Sequence, residues 1–308
     1  MAWQCETDKD KQRDDCADAI QKFLHAVLWH NARMNASATS DLPIGVFDSG
    51  VGGLTVLQAI REALPQEDLV YLGDTARLPY GTKSPASICR YASQATARLQ
   101  EQGVKLLVVA CNTASAVALD TLRRQMNPVP VVGVVEPGAA AAVERHPGGK
   151  HLVLATEATV ILGAYRNAIS GRDPDADVRE LACELLVSLA EEGWTSGAIA
   201  EDIVRRYLEP LAAMAFEPDN IILGCTHFPL LRDAIERVAP DGTSIVDSAS
   251  TTAAVAGHLL AESSLLNEQM SAGQLRLLAT DGATRFARVG RQFLGDHLEA
   301  TDIELVDL

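Results

Sequence analysis

The chain has 308 residues, with 26 Lys and Arg against 41 Asp and Glu, so its formal net charge is −15. This acidic balance argues against a dedicated nucleic-acid-binding protein and against binding to an anionic membrane surface, because both need clustered Lys and Arg side chains. Hydrophobic residues make up 47% of the chain, which is enough for a sizeable core, and the length favours two domains.

The sequence also indicates a cellular compartment. No apolar run reaches the roughly 20 residues that span a bilayer, and the first residues lack the basic start and apolar core of a signal peptide. The six cysteines are scattered along a long chain, which is typical of free thiols in a reducing cytosol. We therefore expect a cytoplasmic protein.

Residues 1–43 are predicted to form an N-terminal extension. Between Asp15 and His30, apolar side chains recur at spacings of three and four, which predicts one amphipathic helix. The polar stretch that leads to Pro43 is typical of a linker. Three interpretations stay open: a helix docked on the body of the protein, a regulatory helix, and an over-long start in which Met34 is the true initiator.

Short strands and helices are predicted to alternate along the rest of the chain. The predicted strands are Ile44–Phe47, Leu69–Leu72, Lys105–Ala110, Val129–Val135, His151–Ala155, Val178–Ala182, Asn220–Leu223 and Ser244–Val246. The predicted helices are Leu54–Leu64, Pro85–Gln102, Ala114–Gln125, Val160–Ile169, Ile199–Ala215 and Thr251–Glu262. Short unbroken runs of Val, Leu and Ile between helices are typical of parallel strands covered on both faces. The alternation predicts an α/β fold with mostly parallel sheets flanked by helices.

The two halves of the chain contain a matching unit. The strand Lys105–Ala110 is followed by Cys111, two polar residues and a helix, and the strand Asn220–Leu223 leads in the same way to Cys225. Two similar lobes that face one another explain this repeat. Because ligands of open α/β sheets lie at the carboxyl ends of the strands, both cysteines are expected at a ligand site in the cleft between the lobes.

The lobes are assigned from the order of the predicted elements. We expect a first α/β lobe of residues 44–137 with 249–308 and a second α/β lobe of residues 138–248. The tail from Asn267 is assigned to the first lobe, although its pattern is too weak to predict individual elements.

Cys111 and Cys225 are the candidate reactive residues. Each is predicted to lie just past a strand and just before a helix, where backbone N–H groups and the helix dipole favour the thiolate. A cysteine near a strand end is usually a small buried hydrophobic residue. That is our interpretation of Cys89 and Cys183, which lack the Asn-Thr or Thr-His residues that follow the other two cysteines. The matching polar surroundings of the other two favour a chemical role.

Two facing thiols favour one type of chemistry over others. Disulfide redox work usually needs Cys-x-x-Cys, which the chain lacks, and zinc needs three or four ligands at set spacings. Two-base proton transfer needs both thiols, because one removes a proton from one face of a carbon and the other returns a proton to the opposite face. A cysteine hydrolase, which needs one thiol, and a binding or regulatory protein that kept the fold stay open.

A glycine-rich turn is predicted after the first strand. Asp48 and Ser49 open the sequence DSGVGG, whose glycines let the backbone approach a ligand closely. The dinucleotide-binding pattern fails, because Thr55 stands at the third glycine position. Asp48 and Ser49 are therefore either candidate ligand-binding residues or caps of a tight strand–helix turn.

Further polar residues lie near predicted strand ends. Tyr80 and Gly81 belong to a turn with one aromatic hydroxyl and an exposed backbone N–H, and Thr156 and Thr159 follow the first strand of the second lobe. Hydroxyls and backbone amides hold carboxylates without a large positive charge. His227 is interpreted either as part of the proton path of the neighbouring cysteine or as a structural hydrogen-bonding residue.

Five motifs resemble the glutamate racemase family. They are FDSGVGGLT from Phe47, LPYG from Leu78, ACNTAS from Ala110, VVEPG from Val134 and LGCTHFPLL from Leu223, in the expected order. Members of this family interconvert L- and D-glutamate without pyridoxal phosphate or metal and supply D-glutamate for bacterial peptidoglycan synthesis. The resemblance implies the same reaction for this chain, without a cofactor.

The resemblance also implies roles for individual residues. Cys111 and Cys225 match the paired acid/base thiols of the family, and Asp48 and His227 match the polar groups that tune them. The matching substrate-binding residues are Asp48, Ser49, Tyr80, Gly81, Asn112, Thr113, Thr156, Thr159, Thr226 and His227.

An aspartate racemase, or another two-cysteine isomerase of the same fold, is the alternative. The length of the motifs around Asp48 and Cys225 favours glutamate. We expect a small-molecule substrate, a homodimer, and neither a nucleic-acid nor a membrane partner. The N-terminal extension is a candidate for regulation.

Overall fold

Strands and helices alternate through most of the described chain, which comprises residues 40–295 and 297–308 of a computed structural model. The strands are β1 (Ile44–Asp48), β2 (Leu69–Gly73), β3 (Leu106–Val109), β4 (Val131–Gly133), β5 (Lys150–Ala155), β6 (Asp177–Ala182), β7 (Asn220–Gly224), β8 (Ser244–Asp247), β9 (Leu275–Ala279) and β10 (Ile303–Leu305). The α-helices are α1 (Leu54–Ala63), α2 (Pro85–Glu101), α3 (Asn112–Met126), α4 (Val135–Arg145), α5 (Glu157–Ile161), α6 (Ala164–Ser170), α7 (Glu184–Glu191), α8 (Ala198–Ala213), α9 (Arg232–Val238), α10 (Ser248–Glu262) and α11 (Ala283–Leu294). Short 3-10 helices cover Tyr80–Thr82, Phe228–Leu231 and Ala300–Asp302.

The strands form two parallel sheets. The first sheet has six strands in the order β10-β9-β2-β1-β3-β4, and the second has four strands in the order β6-β5-β7-β8. The pairings within both sheets are parallel. The predicted α/β class, with parallel sheets flanked by helices, is confirmed.

Helices cover both faces of the first sheet. On one face α1, α10 and α11 pack against Val46 and Tyr71, and on the other α2 and α3 pack against Phe47 and Leu107. These four side chains are fully buried. Neighbouring residues of β1 thus enter opposite cores, which explains why the strand reads as an unbroken apolar run rather than an alternating one.

The second sheet is built in the same way. Leu152 of β5 enters the core formed with α7, α8 and α9, and Val153 enters the core formed with α4 and α6. Both side chains are fully buried.

Strand register brings the predicted site residues to the sheet edges. β1 and β3 are neighbours and end at the same level, so Asp48 and Cys111 lie together at the carboxyl edge of the first sheet. β5 and β7 are neighbours in the second sheet, so Thr156 and Cys225 lie together at its carboxyl edge. Both predicted thiols therefore lie where ligands of such sheets bind.

Two predicted elements are wrong in their extent. The strand predicted over Val129–Val135 ends at Gly133, and Val135 already begins α4. An apolar run does not reveal by periodicity where a strand gives way to a helix. The helix predicted over Val160–Ile169 is split into α5 and α6 at Gly163, whose φ of +59° is a conformation that glycine adopts readily.

The tail supplies the strands β9 and β10 to the first sheet, and its helix α11 packs against that sheet. The first sheet thus takes its strands from residues 44–133 and 275–305, and the second from residues 150–247. The domain boundaries at 137/138 and 248/249 stay a prediction.

The amphipathic helix predicted for the N-terminal extension lies outside the described residues. Within residues 40–295 and 297–308, no helix has both the length and the apolar character that a membrane crossing requires.

Candidate active site

Cys111 stands at the start of α3. Its Sγ accepts a hydrogen bond from the backbone N–H of Ala114 at 3.4 Å and donates one to Ser49 Oγ at 3.3 Å. Burial, followed by the charge of Asp48, raises the pKa of Cys111 to about 12. The sulfur is therefore a thiol at neutral pH, and the thiolate-stabilising effect predicted for the helix N-terminus is outweighed by desolvation.

Cys225 occupies the corresponding place in the second sheet. It directly follows β7 and is 6% exposed, close to the 5% of Cys111. A 3-10 helix separates it from α9, so Cys225, unlike Cys111, does not cap an α-helix. The charge of Cys225 is among the causes that raise the pKa of Cys111, so the two sulfurs lie within electrostatic reach of each other.

His227 connects Cys225 to a partly buried acidic residue. Its Nδ1 lies 3.7 Å from Cys225 Sγ, and its Nε2 lies 3.4 Å from Oε1 of Glu191. Burial by itself lowers the pKa of His227, but the contacts with Cys225 and Glu191 outweigh it and raise the pKa to about 10. His227 is therefore an imidazolium at neutral pH, next to the sulfur of Cys225.

Asp48 is buried beneath the glycine-rich turn. Its Oδ2 accepts hydrogen bonds from the backbone N–H of Gly50 at 2.9 Å and from the Tyr71 hydroxyl at 3.2 Å. Burial raises the pKa of Asp48, and the charge of His227 and these hydrogen bonds oppose that rise. Asp48 thus acts electrostatically on Cys111 and on His227, the neighbour of Cys225.

A row of hydroxyl groups joins the two sheet edges. Thr113 Oγ1 lies 3.0 Å from Thr156 Oγ1, which lies 3.1 Å from Thr159 Oγ1. All three side chains are buried. Gly81 packs against Thr156, because a Cβ at Gly81 would lie 3.1 Å from the Thr156 Cβ. Four predicted substrate-binding residues are thus brought together.

Two other predicted substrate-binding residues each have a side-chain group that is hydrogen-bonded within the protein. The Tyr80 hydroxyl donates to Asp74 Oδ2 at 2.5 Å, so this hydroxyl holds the loop and only the backbone of the Tyr80–Gly81 turn is left for a ligand. Asn112 Nδ2 donates to the Tyr165 hydroxyl at 2.8 Å. Asn112 Oδ1 is buried and has no hydrogen-bond partner among the described residues.

The turn after β1 contacts the residues that follow Cys225. A Cβ at Gly52 would overlap the His227 ring and would lie 2.7 Å from Thr226 Oγ1. The Thr55 hydroxyl donates to the backbone oxygen of Thr226 at 2.9 Å. The carboxyl edges of the two sheets therefore meet at the site that contains both cysteines.

Comparison with known proteins identifies the family. A sequence profile of the Asp/Glu/Hydantoin racemase family matches residues 44–256, which contain every predicted site residue. This chain belongs to that racemase family.

Individual relatives of this racemase agree in length and in fold. The chain is similar to the glutamate racemase of Geobacter metallireducens, with 47% identity over 83% of this chain and 93% of that protein. It is similar to the structure of glutamate racemase from Francisella tularensis in complex with D-glutamate, with TM-score 0.80 and 35% identity over 87% of this chain and 98% of that one. It is also similar to glutamate racemase from Thermus thermophilus in complex with β-chloro-D-alanine, with TM-score 0.77 and 42% identity over 88% and 98% of the chains.

Sequence reasoning missed four residues that shape the site of this racemase. Asp74, Tyr71 and Tyr165 position Tyr80, Asp48 and Asn112, and Glu191 contacts His227. Glu191 stands beside Glu192 at the end of a helix, where such a pair is usually solvated surface charge. The two tyrosines read as ordinary core residues, and no signal distinguishes them in the sequence.

Proposed function

We propose that this protein interconverts L- and D-glutamate by two-base proton transfer at the α-carbon. The observation that carries the proposal is the pair of buried sulfurs, one at the carboxyl edge of each sheet, each beside a polar partner of its own. Cys111 contacts Ser49, and Cys225 contacts His227. Membership of the racemase family and similarity to named glutamate racemases support the choice of reaction.

The proton transfer balances without any further reactant. In one direction Cys225, as a thiolate, takes the α-proton, while the Cys111 thiol gives its proton to the opposite face of the carbon. The C–H bond and the Cys111 S–H bond break, and a Cys225 S–H bond and a new C–H bond form. The opposite direction exchanges the two roles, and the His227 imidazolium compensates the charge on the sulfur beside it.

The difficult part of the reaction is the charge that develops on the α-carbon. The α-hydrogen of an amino acid is very weakly acidic, so the protein must stabilise carbanion-like charge with preorganised groups in a closed site. The buried hydroxyls of Thr113, Thr156 and Thr226 are neutral donors suited to the substrate carboxylates. The Asp48 carboxylate is suited to the substrate ammonium group.

The biological setting is part of the proposal. We infer that the enzyme works in the cytoplasm and supplies D-glutamate for peptidoglycan synthesis. The homodimer, and regulation through residues 1–43, stay predictions. Sedimentation analysis tests the dimer, and a chain that starts at Met34 tests the regulation.

A simple optical experiment tests the reaction. Purified protein is mixed with D-glutamate without any added cofactor, and circular dichroism of the amino acid is followed. We expect the signal to decay to zero as the two enantiomers equilibrate. A parallel reaction with D-aspartate distinguishes the alternative aspartate racemase. A persistent glutamate signal would contradict the proposal.

A further inference from the structure

A charged contact links the proposed acid/base site to the opposite half of the molecule. Arg285 lies on α11, which packs with the first sheet, and Glu191 is the last residue of α7, which packs with the second. Nη2 of Arg285 lies 2.9 Å from Oε2 of Glu191. The other carboxylate oxygen, Oε1, lies 3.4 Å from Nε2 of His227. Glu191 thus contacts one cation through each of its oxygens.

Glu191 and His227 are largely shielded from solvent, whereas Arg285 lies at the surface. The side chains of Glu191 and His227 are 15% and 12% exposed, whereas that of Arg285 is 58% exposed. Burial raises the pKa of Glu191, but the contacts with His227 and Arg285 outweigh it and hold the pKa below its usual value. The surface arginine therefore helps to keep a partly buried carboxylate ionised and oriented.

The surrounding charges define what Arg285 contributes. Among the described residues, Asp48 and Cys225 act electrostatically on His227, Asp281 lies near Glu191, and Glu192 pairs with Arg288 beside them. Asp281 lines the same cavity of about 150 Å³ as Glu191 and Arg285. Arg288 lies one turn further along α11 and pairs with Glu192 at 3.7 Å. Arg285 is therefore the arginine of this helix that reaches the carboxylate beside His227.

We propose that Arg285 is a positioning residue for proton transfer, which fixes the Glu191 carboxylate against His227 and so sets the orientation and charge of the imidazole beside Cys225. The inference rests on the proposed function, because the group that it positions belongs to the proposed acid/base site. Arg285 lies on a helix that packs with the first sheet, whereas Cys225 and His227 follow a strand of the second sheet. The state of Cys225 and His227 therefore depends on a side chain from the other half of the molecule.

The chain provides a matched pair of variants. Arg285→Gln and Arg288→Gln each remove one exposed arginine from the same helix, and each breaks an ion pair with the end of α7. Only the first breaks a pair with the carboxylate that contacts His227. Arg285→Lys keeps the positive charge and serves as the conservative variant. Urea unfolding of all three verifies that the variants fold.

The main readout is the pH profile of racemisation. Removing Arg285 lets Glu191 take up a proton at higher pH. On the acidic side of the profile, the pH at which kcat/KM falls to half should therefore rise by about half a unit for Arg285→Gln. We expect kcat to fall about fivefold near neutral pH, with KM nearly unchanged. Arg288→Gln should leave both the limb and kcat unchanged, and Arg285→Lys should restore most of the loss.

A second readout does not depend on racemase activity. The rate of alkylation of Cys225 by iodoacetamide, followed by peptide mass spectrometry across the same pH range, reports the protonation of the Cys225–His227 pair. We expect this profile to shift for Arg285→Gln and to stay fixed for Arg288→Gln. Equal profiles for the two variants would overturn the role of Arg285. If the wild-type protein fails to racemise glutamate, the proposed function fails, and the alkylation profiles still decide whether Arg285 acts on this pair.

Discussion

The Tyr80 hydroxyl donates a 2.5 Å hydrogen bond to the carboxylate of Asp74, and both side chains are buried. Arg77 and Thr280 donate to the same carboxylate. Tyr80→Phe leaves this carboxylate one donor short, so we expect the free energy of unfolding to fall by about 2 kcal/mol. Urea denaturation measures the loss of stability. The change in kcat, expressed as an activation free energy, should be smaller than this loss because the hydroxyl is bonded to Asp74.

Tyr91→Phe is a suitable control for that variant. Among the described residues, the Tyr91 hydroxyl accepts one 3.4 Å hydrogen bond, from the exposed side chain of Arg90, so its removal should change the free energy of unfolding by less than about 0.5 kcal/mol. A Tyr80→Phe protein of unchanged stability but lost activity would instead place the hydroxyl on the substrate, as the sequence suggested.

The role of Tyr80 shows what the sequence could and could not predict. The motif LPYG correctly indicated a turn at a sheet edge, since Tyr80–Thr82 forms a 3-10 helix beside the site. The direction of the hydroxyl depends on Asp74, and one of the other donors to Asp74, Thr280, lies 206 residues away along the chain. The contact between Thr280 and Asp74 forms only when β9 pairs with β2, and no local sequence pattern predicts it.

Gly52 lies against His227 and Thr226, so its lack of a side chain has a functional consequence. A Cβ at this position would lie 2.7 Å from Thr226 Oγ1 and would overlap the His227 ring. Gly52→Ala should therefore displace the imidazole from Cys225 and lower kcat/KM by about 100-fold, since small misplacements near the reacting atoms are costly. Steady-state kinetics with either enantiomer measures the effect.

Gly50→Ala is the matched control for Gly52→Ala. The nearest atom to a Cβ at Gly50 is Leu78 Cδ2 at 3.5 Å, an ordinary van der Waals distance, and the backbone N–H that binds Asp48 is kept. We expect kcat/KM within about threefold of wild type for this variant. Equal losses from the two substitutions would show that the turn as a whole, rather than the contact with His227, sets the activity.

The raised pKa of His227 predicts how its contribution to stability depends on pH. The contacts with Cys225 and Glu191 overcome the effect of burial and raise the pKa from the ordinary value of 6.5 to about 10. The folded protein thus holds this proton more tightly than the unfolded chain does. The resulting stabilisation is complete below about pH 6.5 and is lost as the pH rises through about 10. We expect the difference in unfolding free energy between wild type and His227→Gln to shrink over this interval.

Urea denaturation at several pH values checks this dependence. The experiment compares the same two proteins at each pH, so titration of all other groups largely cancels. A constant difference across the interval would mean that His227 is not held as an imidazolium in the folded protein. The assignment of His227 as the charge partner of Cys225 would then be lost.

The contact between His227 and Glu191 marks the limit of sequence-based prediction at this site. Cys111 and Cys225 were predicted from their matching strand ends, because a strand followed by Cys and two polar residues is a local pattern. Glu191 belongs to a helix that was not predicted, and its carboxylate reaches His227 across a gap of 36 residues in the chain. Which acidic residue of a helix end faces the interior depends on how that helix packs on the sheet.

Cys111→Ser and Cys225→Ser test the symmetry of the proposed reaction. A serine hydroxyl is a far weaker acid than a thiol, so each substitution removes one of the two proton-transferring groups. We expect each variant to lose racemisation by at least about 1,000-fold, because neither thiol alone can both remove and return a proton on opposite faces. Optical rotation with L- and with D-glutamate measures the loss.

Heavy water adds a test that does not require a variant. If one sulfur removes the α-hydrogen and the other delivers a solvent-derived proton, newly formed product contains deuterium while the remaining substrate stays protiated early in the reaction. Mass spectrometry after separation of the enantiomers reports both. Early deuterium in the remaining substrate would indicate a single base that exchanges with solvent on one face.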